Sequence, residues 1–326
     1  YGGSSNEYAE SIQQTTDGGY IMTGYTWSND GDLSDENNGY RDIWIIKLDE
    51  SGNKDWDKTY GGSYWDEASL VQQTSDGGYI VAGDRWTIDQ DISEVNNGGS
   101  NYYNDGDKDY WIIKLDGSGN KVWDKTYGGS DTDEATSIQQ TSDGGYVVAG
   151  YTGSDDGDIT DGNNGLGDYW IIKLDGLGNK VWDKTYGGSN IDEATSIQQT
   201  SDGGYIVAGY TESNDGDVSD GNNGSGDYWI IKLDSSGKKV WDKTYGGSYS
   251  DEANSIQQTS DGGYIVAGYT WSNDGDVSDG SNGRYDYWII KLDGLGNKEW
   301  DKTYGGSENE EAHSIQQTSD GGDIVA

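Results

Sequence analysis

The sequence predicts an all-β protein, and three observations lead to this fold class. One tetrapeptide recurs along the whole chain at a nearly constant interval. Each interval contains four short segments rich in Val, Ile, Tyr and Trp, which are separated by turns of Gly, Asp and Ser. Since no stretch keeps a helical period over three turns, strands are the regular elements that the pattern supports.

The recurring tetrapeptide is Tyr-Gly-Gly-Ser, and it divides the chain into repeats. It begins at Tyr1, Tyr60, Tyr127, Tyr186, Tyr245 and Tyr304, at intervals of 59, 67, 59, 59 and 59 residues. The predicted repeats are 1–59, 60–126, 127–185, 186–244 and 245–303, with a partial sixth at 304–326. The longer second interval contains an insertion of eight residues around 101–108. A loop that accepts such an insertion is expected at the surface.

The fourth repeat illustrates the predicted strands, which are 194–200, 205–211, 227–234 and 240–245. The first two are joined by Ser201-Asp202-Gly203-Gly204, in which Asp-Gly suits the positive φ of a tight hairpin. Trp229, Ile231 and Leu233 are expected on one face of the third strand, because successive side chains alternate between faces. A Gly and Ser turn precedes the fourth strand.

Hairpin turns require antiparallel neighbours, so the repeats are predicted to be four-stranded antiparallel blades of a β-propeller. Residues 1–326 are predicted to form a single propeller domain of five full blades and a half blade. A ring of six would close if two further strands came from a longer parent chain or from a neighbouring molecule. An open edge of this kind invites strand addition, so assembly through the half blade is one hypothesis. Because Tyr1 is neither an initiator Met nor the start of a signal peptide, a processed chain or a fragment is expected.

Several segments resemble known propeller repeats. In the fifth repeat they are Ser255-Ile256-Gln257-Gln258-Thr259, Asp261-Gly262-Gly263-Tyr264, Ser272-Asn273-Asp274-Gly275-Asp276-Val277-Ser278, Asp286-Tyr287-Trp288 and Lys291-Leu292-Asp293. They resemble the propeller-type repeats of about 60 residues in large secreted and cell-surface proteins of bacteria and archaea. The layout is also similar to a WD-repeat blade, although the full WD signature is absent. The resemblance covers nearly the whole chain and implies a secreted or surface-exposed propeller, without implying an activity.

The composition excludes several classes of function. Sixty acidic and 20 basic residues give a net charge of −40, which argues against a nucleic-acid partner. There is no Cys for a disulfide or a thiol nucleophile, and no apolar run is long enough for membrane insertion. His313 is the only His and is expected at an exposed strand position. Without a phosphate-binding or zinc-protease motif, the protein is not predicted to be an enzyme.

An acidic loop follows the second strand of each repeat. Its carboxylates are Asp30, Asp32 and Asp35; Asp89, Asp91 and Glu94; Asp156, Asp158 and Asp161; Asp215, Asp217 and Asp220; and Asp274, Asp276 and Asp279. Oxygen ligands at near-alternate positions with Gly between them can wrap Ca²⁺, which takes six to eight oxygens. Because three carboxylates within six residues repel one another, we predict that at least some of these loops bind calcium. The alternative is that these residues only form turns.

Two other motifs carry charge. An acidic pair precedes the first strand, as Asp66-Glu67, Asp133-Glu134, Asp192-Glu193, Asp251-Glu252 and Glu310-Glu311. One carboxylate of each pair is expected to accept backbone N–H bonds and brace the loop between blades. A glycosidase would need carboxylates from two blades, since neighbours on a strand point to opposite faces. The Lys of each third strand is expected to neutralise a nearby Asp or to keep the strand edge solvated; these are Lys47, Lys114, Lys173, Lys232 and Lys291.

The 14 Trp residues fall into two groups. Ten recur in every full repeat and are expected to pack blade against blade: Trp44, Trp111, Trp170, Trp229 and Trp288 in the third strand, and Trp56, Trp123, Trp182, Trp241 and Trp300 in the fourth. The other four, Trp27, Trp65, Trp86 and Trp271, are not in every repeat. They are predicted in or beside the loops of the acidic face, which is the face that the acidic loops and the Tyr-Gly-Gly-Ser loops are expected to share. Loop Trp residues beside carboxylates can stack on sugar rings, so they are candidate glycan-binding residues.

These observations predict a structural or adhesive propeller, located outside the cell or on its surface, with a calcium-binding acidic face. Near-identical copies of one surface favour a multivalent scaffold, whereas an enzyme needs one asymmetric site. The expected partners are other surface proteins or copies of the same chain, and glycans are possible ligands. A carbohydrate-binding propeller is the alternative hypothesis, and a carboxylate glycosidase is a third.

Overall fold

The protein is described by a computed structural model that covers residues 1–86, 108–318 and 320–326. The acidic loop with Asp89, Asp91 and Glu94 and most of the insertion near 101–108 lie outside the described residues. Within the described ranges there are 22 strands and no helix. The predicted all-β class is therefore confirmed.

The strands of each repeat follow one order. Repeat one has β1 (Glu7–Gln14), β2 (Tyr20–Thr26), β3 (Asp42–Leu48) and β4 (Lys54–Tyr60). Repeat two has β5 (Asp66–Gln73), β6 (Tyr79–Arg85), β7 (Asp109–Leu115) and β8 (Lys121–Tyr127). Repeat three has β9 (Asp133–Gln140), β10 (Tyr146–Thr152), β11 (Asp168–Leu174) and β12 (Lys180–Tyr186). Repeat four has β13 (Asp192–Gln199), β14 (Tyr205–Thr211), β15 (Asp227–Leu233) and β16 (Lys239–Tyr245). Repeat five has β17 (Asp251–Gln258), β18 (Tyr264–Thr270), β19 (Asp286–Leu292) and β20 (Lys298–Tyr304), and β21 (Ile315–Gln317) and β22 (Asp323–Val325) follow.

Each full repeat is one four-stranded sheet whose strands pair in chain order, for example β13-β14-β15-β16. The pairings are antiparallel, as the hairpin turns predicted. In the fourth repeat Gly203 has φ +82°, which is the conformation that the predicted Asp-Gly turn requires. The part of the chain that the structure describes thus contains five propeller-type blades and a two-stranded sheet, β21-β22. A ring of six blades stays a prediction.

The chain divides into two compact units. The first comprises residues 1–148, 152–162 and 172–181, and the second comprises 149–151, 163–171 and 182–326, so residues of the third sheet belong to both. In the first unit, Ile43 and Ile45 of β3 join Val71, Val81 and Trp111 of the second sheet in one apolar cluster. Sheet therefore packs on sheet within this unit, and the apolar area that each blade buries stabilises its neighbour.

In the second unit, the fourth sheet packs on the fifth in the same way. Ile206 and Ile230 lie in one cluster with Ile256, Val266 and Trp288. All seven residues of β15 are buried, because both faces of this strand are covered. The predicted alternation of faces in the third strand is present, but both faces are core.

The recurring Trp residues hold the blades as predicted. The five in the third strands are at most 5% exposed, and each indole N–H donates to the Asp of the neighbouring fourth strand, at 3.1 Å for Trp229 and Asp242. The fourth-strand Trp rings lie against a Tyr of the next repeat, with 5.8 Å between the ring centroids of Trp182 and Tyr205. Trp300 differs and is 43% exposed.

The recurring Lys of the third strand is paired with an Asp, as expected. Lys173 Nζ lies 3.0 Å from Asp143 in the hairpin turn. The Thr141 hydroxyl has the largest effect on that carboxyl and lowers the pKa of Asp143 to about 2; partial burial opposes this shift, and the Gly145 N–H and Lys173 add to it. Lys173 itself is 5% exposed, so its ammonium group lies under the turn and does not solvate a strand edge. His313 is exposed, as expected, but precedes β21 and lies outside a strand.

Candidate binding surface: acidic loops and aromatic clusters

The Asp of the fourth strand anchors the acidic loop in the first, fourth and fifth repeats. In the fourth repeat Asp242 accepts hydrogen bonds from the backbone N–H of Ser219 at 2.8 Å and from its hydroxyl at 2.6 Å. The Trp229 indole N–H also donates to Asp242, and Lys239 lies 3.2 Å away. Equivalent bonds reach Asp57 and Asp301. This anchor was not predicted from the sequence, although an Asp follows the fourth-strand Trp in every full repeat.

In each acidic loop that the structure describes, the first carboxylate caps the Tyr-Gly-Gly-Ser turn. Asp215 Oδ1 accepts the Ser189 N–H at 2.8 Å, and the Gly187 carbonyl accepts the Asp217 N–H at 2.9 Å. Equivalent bonds join Asp30 to Ser4, Asp156 to Ser130 and Asp274 to Ser248. The two loops that were predicted to share one face are therefore in contact.

The second and third carboxylates turn to different lysines. Asp217 Oδ1 lies 3.8 Å from Lys239 Nζ, and Asp220 Oδ2 lies 2.9 Å from Lys243 Nζ. In the fifth repeat Asp279 has the same partner, Lys302, at 2.9 Å. The three carboxylates of a loop thus have separate partners.

Calcium ligation would require those carboxylates to turn toward one point. Among the described residues, no group of three or more His, Asp or Glu side chains is placed to hold a metal ion. Calcium binding by the acidic loops stays a prediction, and for Asp89, Asp91 and Glu94 the structure offers no geometry.

The acidic pair before the first strand braces the blade junction, as predicted. Asp192 Oδ2 accepts the Gly188 N–H and the Ser213 hydroxyl, both at 2.8 Å. The Thr211 hydroxyl donates to the other oxygen. Burial raises the pKa of Asp192 to about 6, although these three bonds oppose the shift. The turn N–H donates in the same way to Asp66, Asp133, Asp251 and Glu310.

Three of the four candidate Trp residues belong to one aromatic group, which we name the first aromatic cluster: Tyr8, Tyr25, Trp27, Arg41, Trp65 and Trp86. The Arg41 guanidinium lies 4.7 Å from the ring centroid of Tyr25, 5.4 Å from that of Trp27 and 5.0 Å from that of Trp65. The rings of Trp65 and Trp86 are 5.2 Å apart. Burial lowers the pKa of Arg41, which also pairs with Glu67. A cation therefore joins these rings within the first unit.

The fourth candidate, Trp271, lies in a second aromatic cluster with Tyr249, Tyr269 and Tyr285. The ring centroid of Trp271 is 5.2 Å from that of Tyr249 and 5.7 Å from that of Tyr285. Trp271 is 40% exposed and Tyr249 is 49% exposed, so both present ring surface to solvent. This cluster belongs to the second unit.

The four candidate Trp residues lie at the ends of strands of the blades. Trp27, Trp86 and Trp271 each directly follow a second strand, and Trp65 directly precedes β5. Both positions adjoin the acidic loop or the Tyr-Gly-Gly-Ser turn along the sequence. The contact of Arg41 with Trp27 and Trp65 was not predicted from the sequence.

No helix in the described ranges is long and apolar enough to cross a membrane. No protein family and no curated protein matches the sequence. Among solved structures, the chain is similar to the WD40 domain of Pan2 from Neurospora crassa, with 12% identity, coverage of 98% of this chain and 86% of that one, and a TM-score of 0.48. It is also similar to Sqt1 from Chaetomium thermophilum, with 11% identity and a TM-score of 0.45; the match covers 95% of this chain and 64% of Sqt1, which is less than two thirds of that chain.

A third similar structure is a protein of unknown function from Bacteroides caccae, with 13% identity, coverage of 86% of this chain and 94% of that one, and a TM-score of 0.32. Likenesses at these identities and scores carry no information about function. The blades themselves define the molecule: within the described residues, it is a repeat protein built from four-stranded antiparallel blades of the propeller type.

Proposed function

We propose that this chain is a structural or adhesive repeat protein of the cell exterior, in which the blades form the scaffold and the edge that carries the acidic loops binds partners. One observation carries the proposal: most buried contacts recur from blade to blade, whereas the exposed aromatic residues at that edge differ. Trp271 and Tyr249 are exposed in the second unit, and Trp65 and Tyr64 are exposed in the first. Exposed aromatic side chains beyond those that the framework needs are typical of binding surfaces.

The charge of the chain supports a scaffold outside the cell that binds its partners through close, specific contacts. A net charge of −40 keeps copies apart by repulsion unless specific contacts or cations offset it. Partner proteins and further copies of this chain are the partners that we propose. The several loop edges of one chain would act together, so weak contacts at each edge would add to a higher avidity.

Carbohydrate binding is the second candidate, and the second aromatic cluster favours it. Trp271 and Tyr249 expose ring surface next to the acidic loop in which Asp274 accepts two bonds from Ser248. Flat rings beside carboxylate acceptors provide a stacking surface and hydrogen-bond partners for sugar hydroxyls. The same arrangement is compatible with a protein partner, and binding assays separate the two.

Substituting Trp271 with Ala tests the binding surface. We expect the variant to lose at least about tenfold in affinity for whichever partner the wild-type chain binds, because an exposed aromatic anchor contributes on the order of 1–2 kcal/mol or more. The assays are a polysaccharide panel and a glycan array for carbohydrate, and light scattering over a range of concentrations for self-association. Trp300→Ala is the matched control, since Trp300 is equally exposed but lies in β20. Equal losses in both variants, or wild-type binding by Trp271→Ala, would contradict the proposed surface.

Calcium has a separate test. The sequence-based prediction requires thermal unfolding in millimolar Ca²⁺ to occur at a higher Tm than in excess EDTA at matched ionic strength. One site at 100-fold over its Kd stabilises the fold by about 2.7 kcal/mol, and several sites would give more. Mg²⁺ is the control for screening, which both ions share. An equal Tm in Ca²⁺ and Mg²⁺ would contradict calcium binding and would mean that the acidic loops only form turns.

A further inference from the structure

A pair of buried carboxyl groups meets behind the first Gly of the Tyr-Gly-Gly-Ser turn. At Gly187, a Cβ atom would lie 2.2 Å from Asp168 Oδ1 and 2.7 Å from Asp192 Oδ2, so both oxygens face the same small space. Asp168, at the start of β11, and Asp192, at the start of β13, are both 0% exposed. Glycine is required here because any side chain would displace the two carboxyl groups.

The same pairing recurs one repeat further along the chain, and both pairs lie in the second unit. A Cβ on Gly246 would lie 2.3 Å from Asp227 Oδ1 and 2.8 Å from Asp251 Oδ2. Asp227 and Asp251 are also 0% exposed. Two carboxylates that both carry a negative charge in such a dry space would repel each other strongly.

The two members of each pair differ in their hydrogen bonds. Asp192 accepts the three donors already described, Gly188, Ser213 and Thr211, and these bonds favour its ionised form. Asp168 Oδ2 accepts bonds from Asn164, at 2.9 Å from its backbone N–H. Asp168 Oδ1 is buried and has no hydrogen-bond partner among the described residues. Asp168 Oδ1 is therefore the atom that lacks a hydrogen-bond donor.

We propose that each of these junctions binds one proton, which Asp168 and Asp227 carry on Oδ1 and donate to the carboxylates of Asp192 and Asp251. The proton converts two repelling carboxylates into a hydrogen bond that joins the third strand of one blade to the first strand of the next. The pair suits a proton better than a metal ion, because no third acidic or His side chain within the described residues joins the two carboxyl groups as a ligand.

The surroundings favour retention of the proton. The charged groups that act on the pair are acidic: Asp217 of the acidic loop on Asp168, and Glu212 after β14 on Asp192. Lys239 of β16 is directed at Asp217 and Asp242. Burial, with the charge of Asp192 as a further cause, raises the pKa of Asp168 to about 7.

The junctions should therefore make the fold more stable at mildly acidic pH. An acid whose pKa is raised in the folded state holds its proton there while the unfolded chain has released it, so stability falls as pH rises from the unfolded pKa toward the folded one. For Asp168 that window runs from about 4 to about 7. We expect the Tm of the wild-type chain to fall as pH rises through this window.

Asp168→Asn is the decisive variant, because the Asn amide can donate to Asp192 as the protonated acid does, at every pH. We expect it to unfold at a higher temperature than wild type at pH 8, and to reduce by about one the number of protons that the folded chain holds in excess at pH 6. Infrared spectra of the full chain at pH 6 should show the C=O stretch of a buried carboxylic acid, weaker in Asp168→Asn. Glu308→Gln, at an exposed site, is the control and should leave the pH profile unchanged.

A second variant and a cation titration test the assignment of the proton further. Asp192→Asn should be strongly destabilised at every pH, because the amide cannot accept all three donors; equal behaviour of the two Asn variants would overturn the assignment of the proton. If wild type shows no acid C=O band at pH 6, the pair is ionised and the proposal fails. If Ca²⁺, Mg²⁺ or Na⁺ at pH 8 raises the Tm of wild type but not of Asp168→Asn, the junction binds a metal ion instead.

Discussion

Replacement of Trp229 by Ala is expected to destabilise the protein by about 3–5 kcal/mol. The side chain is 0% exposed, its ring centroid lies 4.7 Å from that of Tyr169, and its indole N–H donates to Asp242. The substitution removes the largest core side chain of the fourth blade and leaves a cavity that the rigid strands around it cannot fill. Urea denaturation with matched m-values measures the loss directly.

Two variants separate volume from hydrogen bonding at this position. Trp229→Phe keeps most of the ring volume but loses the indole N–H, so a smaller loss of about 1–3 kcal/mol is expected. Trp271→Ala removes a Trp that is 40% exposed and should change stability by less than about 1 kcal/mol. If Trp229→Ala were no worse than Trp271→Ala, the packing role assigned to the recurring Trp residues would be wrong.

Replacement of Asp242 by Ala is expected to cost about 3–5 kcal/mol, because it leaves buried donors without their acceptor. Asp242 is 5% exposed and accepts from Ser219 and Trp229. Although burial opposes ionisation, the bonds from Ser219 and Trp229 and the charge of Lys239 keep the pKa of Asp242 below its usual value. Its stabilising effect is thus present above the unfolded pKa and is lost as pH falls through the folded one.

This variant should also release the acidic loop from the blade. Hydrogen exchange across 213–224 should become faster in Asp242→Ala than in wild type. Exchange in β15 should change only as much as the free energy of global unfolding changes. Asp220→Ala is the matched control. It removes a carboxylate of the same loop whose bond to Lys243 is half exposed, so about 0–1 kcal/mol is expected. Comparable losses in the two variants would contradict the anchoring role of Asp242.

Much of the fold could be predicted because the chain repeats. The hairpin at Ser201-Asp202-Gly203-Gly204 was predicted from local turn chemistry, and β14 has the predicted bounds. The other strands of that repeat differ from prediction by one or two residues at their ends. Local rules suffice for such features, because a turn and the strands beside it are close in sequence.

The candidate site was predictable only in part. The four Trp residues that are not in every repeat were identified by comparison of repeats, but Arg41, which lies over two of them, Trp27 and Trp65, was not. The acidic loops were predicted as candidate ligand sets from their spacing. In the structure Asp215, Asp217 and Asp220 bind a turn N–H and two lysines that lie on other segments. Spacing along one loop does not reveal which groups from neighbouring strands reach the same carboxylates.

The sequence by itself determined the all-β class, the repeat and the four-stranded blade, because period-two patterning, turn residues and an interval of 59 residues are local or directly countable. The tertiary structure alone decided which carboxylates meet. Asp168 and Asp192 are 24 positions apart, and they meet only because a fourth strand and a glycine turn lie between them. Burial then sets their chemistry, because the energy of a charge depends on the water and the charges around it, which the order of residues does not specify.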